Sequence, residues 1–267
     1  MSHWRDQVVF VSGGSAGLGL AIARAFARAG ARLAIAARDP MRLEQAAGAL
    51  SNIAADVLAV RADITDPSQV DRLMQQVFER YDRLDVLVNC AGRSARGMAH
   101  TTSPESYREL WELNFLAAVR CTQAALPRLL SARGHVVNIG SLSAKIASRY
   151  LGAYPASKFA LAAWSQQLRL ELGPEGLHVL LVCPGPLTRT DAGPRYKADP
   201  LELPPSASRP GGGVRIKTID PDWLAQRIVA ACEKRRPELI VPAKARLLFA
   251  LAQLAPTLGD RILRAMT

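Results

Sequence analysis

The sequence predicts an α/β fold: one doubly wound parallel sheet with helices on both faces. Two observations carry that expectation. Short apolar runs without polar alternation recur along the chain, as in strands buried on both faces. Helical segments of one to two dozen residues separate them, as repeated βα units require. In order, the runs are Val8-Val9-Phe10-Val11, Leu33-Ala34-Ile35-Ala36, Val57-Leu58-Ala59-Val60, Val86-Leu87-Val88, Val136-Val137-Asn138-Ile139 and Val179-Leu180-Leu181-Val182-Cys183, with a last strand from Glu238 to Val241. Ala21 to Ala29 has the pattern of the first helix. From Thr188 to Gly213 periodicity fades and Pro and Gly accumulate, which predicts a long loop, a substrate lid over about 188–219. Asp220-Pro221 then offers an N-cap and a first-turn proline, so a helix resumes there. The expected organisation is a Rossmann-type domain over 1–242 and a helical extension over 243–267.

A chain of 267 residues, 49% hydrophobic and 21% charged, can bury one large α/β core. Cys90, Cys121, Cys183 and Cys232 lack C-x-x-C spacing and no His cluster accompanies them, so no metal site or disulfide framework is expected. They read as small buried hydrophobes of a reducing compartment. The strand beginning at Val8 leaves no room for a signal peptide, and the uncharged stretch from Leu247 to Gly259 is too short to span a bilayer. A cytoplasmic protein is expected. The formal net charge is +11, but the arginines are scattered, with no basic run and no aromatic-interleaved patch. That argues against nucleic acid. An anionic cofactor, an anionic substrate or lipid headgroups suit the charge, and an Arg-favouring genome would give it with no functional meaning.

Ser12-Gly13-Gly14-Ser15-Ala16-Gly17-Leu18-Gly19 joins the first strand to the first helix. Gly13 permits a tight turn, Gly17 lets the backbone approach a pyrophosphate, and Gly19 allows helix to pack closely on strand. N–H groups at the helix start, from Ser15 to Leu18, then face the phosphate. The second strand ends near Ala37, at the expected adenosine ribose. An Asp there would accept from a 2′-hydroxyl and repel a 2′-phosphate; Ala37 does neither, and the planar fork of Arg38 suits a phosphate.

The G-x-x-x-G-x-G spacing resembles the glycine motif of the short-chain dehydrogenases/reductases, with Ser12 where Thr is commoner. The resemblance continues in order over roughly residues 6 to 190: Asn89-Cys90-Ala91-Gly92 resembles N-N-A-G, Asn114 stands at the place of the family's catalytic Asn, Ser141 precedes Tyr154 by thirteen residues, Tyr154-Pro155-Ala156-Ser157-Lys158 matches Y-x-x-x-K, and Pro184-Gly185 follows the sixth strand. The resemblance implies an NADP(H)-dependent oxidoreductase that moves a hydride between nicotinamide and a carbonyl or alcohol carbon. It implies that Tyr154 is the general acid/base, that Lys158 tunes it and holds the nicotinamide ribose, that Ser141 donates to the substrate oxygen, and that Asn114 supports a water linking Lys158 to solvent. Asp63, with Ile64 after it, is implied at the adenine; Asn89, Ala91 and Gly92 beneath the ribose; Pro184, Gly185, Leu187 and Thr188 at the nicotinamide. Arg189 stands where the family usually has Thr, so Thr188 or Thr190 substitutes or Arg189 makes another contact.

Elementary chemistry supports these roles. An unperturbed Tyr, with a pKa of about 10, is too weak an acid for neutral catalysis, and a nearby Lys⁺ favours its phenolate. Tyr154 and Lys158, four apart, share one helix face, and Pro155 suits the first turn, which sets Tyr154 at the positive end of the helix dipole. Ser143 and Ser157 lie near enough in sequence to donate into the site. The alternative is a catalytically silent Rossmann protein that senses cofactor or binds a partner; such proteins usually lose the Tyr or the Lys.

In the extension, Arg246, Gln253, Thr257, Asp260 and Arg264 fall on one helical face and Leu247, Leu248, Leu251, Leu258 and Ile262 on the other, with an interruption expected at Pro256. Two readings stay open: a helix or helix pair packed on its own domain or on a partner subunit, or a hydrophobic cover over a lipophilic substrate or a membrane-surface contact. Similar tails occur in relatives resembling ketosphinganine or hydroxysteroid reductases, and β-ketoacyl thioesters are further candidate substrates. A homodimer or homotetramer is expected.

Overall fold

The computed structural model describes residues 3–188, 203–208, 210–213 and 217–266. Among them, seven parallel strands form one sheet: β1 (Val8–Ser12), β2 (Arg32–Ala37), β3 (Val57–Arg61), β4 (Val86–Asn89), β5 (His135–Ile139), β6 (His178–Pro184) and β7 (Glu238–Val241). Their order is β3-β2-β1-β4-β5-β6-β7. β1, β4, β5 and β6 are buried at every position, as their unbroken apolar runs predict. β3 reads the same in sequence, yet only Val60 is buried, because the strand lies at the sheet edge where the covering helices run out.

On one face pack α1 (Gly17–Arg28), α2 (Pro40–Ser51) and α7 (Pro221–Glu233), through Ile22, Phe26, Leu43, Leu50, Leu224 and Ile228. On the other lie α3 (Pro67–Tyr81), α5 (Ala117–Ser131) and α6 (Tyr154–Leu172), through Val70, Leu73, Val77, Cys121, Leu129 and Leu168. A shorter α4 (Pro104–Trp111) runs through a π-helical turn, Glu112–Leu116, into α5. The chain ends on α8 (Ala245–Leu254) and α9 (Pro256–Met266). α1 starts at Gly17, four residues ahead of the apolar pattern, because the glycine turn feeds straight into it.

Aspartates start three of these helices. Asp39, Asp66 and Asp220 each accept a backbone N–H of the first turn and precede a proline, which fixes φ where no intrahelical donor is needed. Asp220 does so through the Trp223 N–H at 2.8 Å, at the expected helix start. Of the expected lid, two short 3₁₀ turns, Pro205–Ser208 and Pro210–Gly213, fall among the described residues; Arg189, Thr190 and most of the loop lie outside them. The consequence for function is positional. Strand order reverses between β2-β1 and β1-β4, so a crevice opens at the carboxyl ends of these strands.

Candidate active site

A cleft of about 2240 Å³ follows that carboxyl edge. Its floor is the glycine turn. Gly17 has φ +53°, and a Cβ there would meet nothing within 4 Å, so the backbone faces the cleft bare. A Cβ on Gly19 would lie 2.1 Å from the Gly13 carbonyl oxygen, so only glycine lets α1 seat on the turn. Ser12 closes the turn from below: its hydroxyl donates to the Val88 carbonyl at 3.2 Å and accepts the Cys90 N–H at 3.1 Å. Gly13, Ser15, Leu18, Ala91 and Gly92 line the cleft beside them. Open glycine backbone and helix-start amides together fit a pyrophosphate.

At one end Arg38, Asp63 and Ile64 line the cleft. The Arg38 guanidinium is largely exposed and lies 3.8 Å from the Asp63 carboxylate. Burial works against ionisation of Asp63, but the Thr65 N–H and hydroxyl, with Arg38, outweigh it and hold the carboxyl below the ordinary Asp value. Asp39, the other nearby acid, is engaged with α2: it accepts the Arg42 N–H at 3.2 Å and pairs with the Arg42 side chain at 3.4 Å. Arg42 also lines the cleft, as does Arg24 on α1, which pairs with Asp222 of α7 at 3.3 Å. Sequence reading found only Arg38, because helix positions next to a strand end carry no motif.

At the other end Ser141, Tyr154 and Lys158 line the cleft together, delivered by the end of β5 and the first turns of α6. The Ser141 hydroxyl oxygen accepts the Ser143 N–H at 3.1 Å, which leaves its own proton to donate. Lys158 is buried; its Nζ donates to the Ile139 carbonyl at 2.7 Å and lies 6.0 Å from the Tyr154 ring centre. Burial pulls the Lys158 ammonium down to about 8, so it is still mostly cationic at neutral pH and sheds its proton readily just above. Pro184, Gly185, Leu187 and Thr188 line the cleft opposite, and the Thr188 hydroxyl donates to the Thr218 hydroxyl at 3.0 Å.

Two expected residues lie just beneath the cleft lining, and one expectation, that for Ser157, needs correction. Asn89 does not line the cleft: it is buried, and its amide donates to Thr122 and Asn138, tying β4 to α5 and β5. Asn114 is likewise buried, directly behind Gly92, where a Cβ would lie 2.8 Å from its Oδ1 and 3.6 Å from the Lys158 Nζ. Placed by the π-helical turn, it accepts the Arg93 N–H at 2.9 Å and donates to the Arg93 carbonyl at 2.9 Å and the Ser157 hydroxyl at 3.0 Å. Its side chain is a clamp that holds the loop after β4 against α6. Ser157 does not donate into the site, because its proton goes to the Tyr154 carbonyl at 2.8 Å. Ser143 does line the cleft.

The remaining wall is apolar and comes from the last two helices: Leu248, Phe249, Ile262, Leu263 and Met266. Phe249 anchors them, packed with Ala144, Ala162 and Ile240. The two helices cross tightly, since a Cβ on Gly259 would come within 2.7 Å of Ala252 Cα. The expected single apolar face is therefore split. Leu248 and Ile262 turn to the cleft, whereas Leu247 and Leu258 are exposed: Leu247 and Leu248 diverge by about 100° on α8 itself, and the break before Pro256 gives α9 its own facing. At the far end of the sheet, His135, His178 and Cys232 bring ligating atoms within 4.8 Å of one another. The expectation that no histidine accompanies a cysteine is corrected: the β5–β6 register, unreadable from spacing, pairs His135 with His178.

The sequence and fold of the chain have a match among known proteins. The family model for short chain dehydrogenase matches residues 7–200. The chain belongs to the short-chain dehydrogenase family. It is 31% identical over 271 residues to the ketoacyl reductase HetN of Nostoc sp., covering 99% of this chain and 90% of that one. Among solved structures it is similar to a short-chain dehydrogenase from Streptomyces avermitilis, at 30% identity and TM-score 0.80, with 100% of both chains covered. It is also similar to the L-sorbose reductase of Gluconobacter frateurii, solved with NADPH and L-sorbose, at 27% identity and TM-score 0.78, covering 90% of this chain and 97% of that one. The family membership makes this an oxidoreductase of carbonyl and alcohol groups that uses a nicotinamide cofactor.

Proposed function

We propose that this protein is an NADP(H)-dependent reductase of lipophilic ketones, ketoacyl, ketosphingoid or steroid-like, working in either direction. One observation carries the reading: Ser141, Tyr154 and Lys158 share a cleft with an apolar wall built by Leu248, Phe249, Ile262, Leu263 and Met266. The preference for NADP(H) rests on Arg38, with Arg42 on the neighbouring α2, and on Ala37, which offers no carboxylate to repel a 2′-phosphate. The sorbose reductase, solved with NADPH, supports the same choice. Gly13, Ser15, Gly17, Leu18 and Gly19 would hold the pyrophosphate, Asp63 and Ile64 the adenine side, and Ala91, Gly92, Pro184, Gly185, Leu187 and Thr188 the ribose and nicotinamide.

Bound nicotinamide supplies or accepts the hydride. The protein supplies the rest. Ser141 donates its free proton to the carbonyl oxygen and stabilises the charge that develops there. Tyr154 delivers a proton to that oxygen. Lys158, cationic and held on the Ile139 carbonyl, favours the resulting phenolate. Asn114 acts as a positioning residue, keeping the Arg93 loop and α6 in register. Exposed Trp111 on α4 and Phe159 and Leu170 on α6 support a homodimer or homotetramer. A reducing cytoplasm suits the four free cysteines.

The test is a series of ketones of graded chain length, with NADPH oxidation followed by absorbance. Turnover should improve with chain length through kcat/KM, and with NADPH over NADH. A profile that favours short polar ketones would overturn the substrate class, and no turnover of any carbonyl or alcohol would overturn the enzyme reading.

A further inference from the structure

We propose that the α8–α9 hairpin docks the protein on an anionic lipid surface, with its outer side in the headgroup layer and its inner side forming the cleft wall. The hairpin has two apolar sides. The inner one lines the cleft. On the outer one Leu247 is 77% exposed, Leu254 86% and Leu258 44%. Leu247 and Leu254 lie two turns apart on α8, and Leu258, in the first turn of α9, carries the stripe past the bend. Helices covering only their own domain would turn these leucines inward, as Phe249 is turned.

Charge selects the occupant. Lys244, Arg246, Arg261 and Arg264 stand on the hairpin against the single acid Asp260, within a chain of net charge +11. Arg246, Arg261 and Arg264 are exposed. A second copy joined by a two-fold axis would set this positive patch against itself. An anionic bilayer complements it, and an amphipathic element of apolar stripe and flanking cations is what lies in such an interface. The docking stands on the outer surface alone. Only its consequence rests on the lipophilic-substrate reading: the wall of the cleft would sit at the membrane, so a lipophilic ketone need not cross water to reach Tyr154.

The test uses the full-length protein and sedimentation with vesicles of phosphatidylcholine, with and without phosphatidylglycerol. The wild type should bind the anionic vesicles, and added salt should weaken the binding. Leu247→Ser/Leu254→Ser/Leu258→Ser should abolish it. Arg246→Gln/Arg261→Gln/Arg264→Gln should weaken it by roughly fivefold per cation removed. None of these six side chains lines the cleft, so turnover of a short water-soluble ketone should be unchanged in both variants. That arm reports the reductase reading separately from the docking. Docking is overturned if the wild type ignores anionic vesicles or if the triple serine variant binds them equally well. It is also overturned if light scattering shows that the serines instead convert an oligomer into a monomer, since the leucines then face a second copy.

Discussion

Acidification from pH 7 to pH 5 should remove about 4 kcal/mol of stability through two buried imidazoles. His135 opens β5 and His178 opens β6, side by side in register, with Nδ1 atoms 2.7 Å apart. The Nε2 of His178 lies 2.8 Å from the Arg236 carbonyl, which can only accept. That nitrogen therefore carries the proton of a neutral ring, His178 Nδ1 is a lone pair, and His135 Nδ1 donates to it. Burial pushes His135 down to about 3, with His178 and Arg235 acting in the same direction. Burial pushes His178 down to about 4, against the Arg236 hydrogen bond. Both folded values lie below the ordinary 6.5. The unfolded chain therefore takes up protons that the fold refuses. Stability is complete above that value, declines as pH falls below it, and levels off only near the folded values. At pH 5 each ring is about 1.5 pH units below its unfolded pKa, which is worth about 2 kcal/mol. Carboxylates titrate chiefly below this window. Urea unfolding at both pH values measures the loss, and Trp4, whose ring lies 5.3 Å from that of His135, gives a fluorescence signal for it. His135→Leu/His178→Gln should be less stable at pH 7 but nearly flat between the two pH values. A wild-type loss under about 1 kcal/mol, or an unchanged slope in the double variant, would refute the reasoning. If the double variant does not fold, proton NMR of the wild type decides instead: either ring titrating above pH 5 refutes it.

Cofactor choice should follow charge: NADP(H) is expected to bind at least about tenfold tighter than NAD(H), and Ala37→Asp with Arg38→Leu should reverse the order in a fluorescence titration. Equal wild-type affinities would sink the assignment. Tyr154→Phe should keep NADPH binding while turnover falls by orders of magnitude, whereas Lys158→Met should harm both; unchanged turnover in Tyr154→Phe would remove Tyr154 from the chemistry. Leu248→Ser with Ile262→Ser should raise KM for long-chain ketones and leave short ones alone, so a uniform loss across chain lengths would show that these residues hold the fold rather than the substrate. Gly19→Ala, with its Cβ 2.1 Å from the Gly13 carbonyl, should disrupt the turn and weaken NADPH binding; wild-type affinity would show that the turn can yield.

The sequence by itself determined the seven strands, the full burial of β1, β4, β5 and β6, and the glycine turn. Each depends on neighbours in the chain: an unbroken apolar run, a glycine at a positive φ, an aspartate before a proline. Helical spacing put Tyr154 and Lys158 on one face, and the resemblance to the family's motifs implied Ser141 beside them. Tertiary structure decided what depends on the far side of a side chain. Asn89 and Asn114 match their motifs, but packing chose their partners: the Asn89 NH2 donates to Thr122 and Asn138, and the Asn114 amide bonds Arg93 and Ser157. Arg42 shares the cleft with Arg38 only when α2 is seated on the sheet. The register of β5 with β6 brings together two histidines far apart in the chain. The leucines of the last two helices were sorted wrongly by a single helical wheel, because the pattern gives the period of each helix but not the angle at which the second folds back on the first. Close packing of Gly259 on Ala252 lets α9 fold back on α8, and with it Ile262 reaches the cleft.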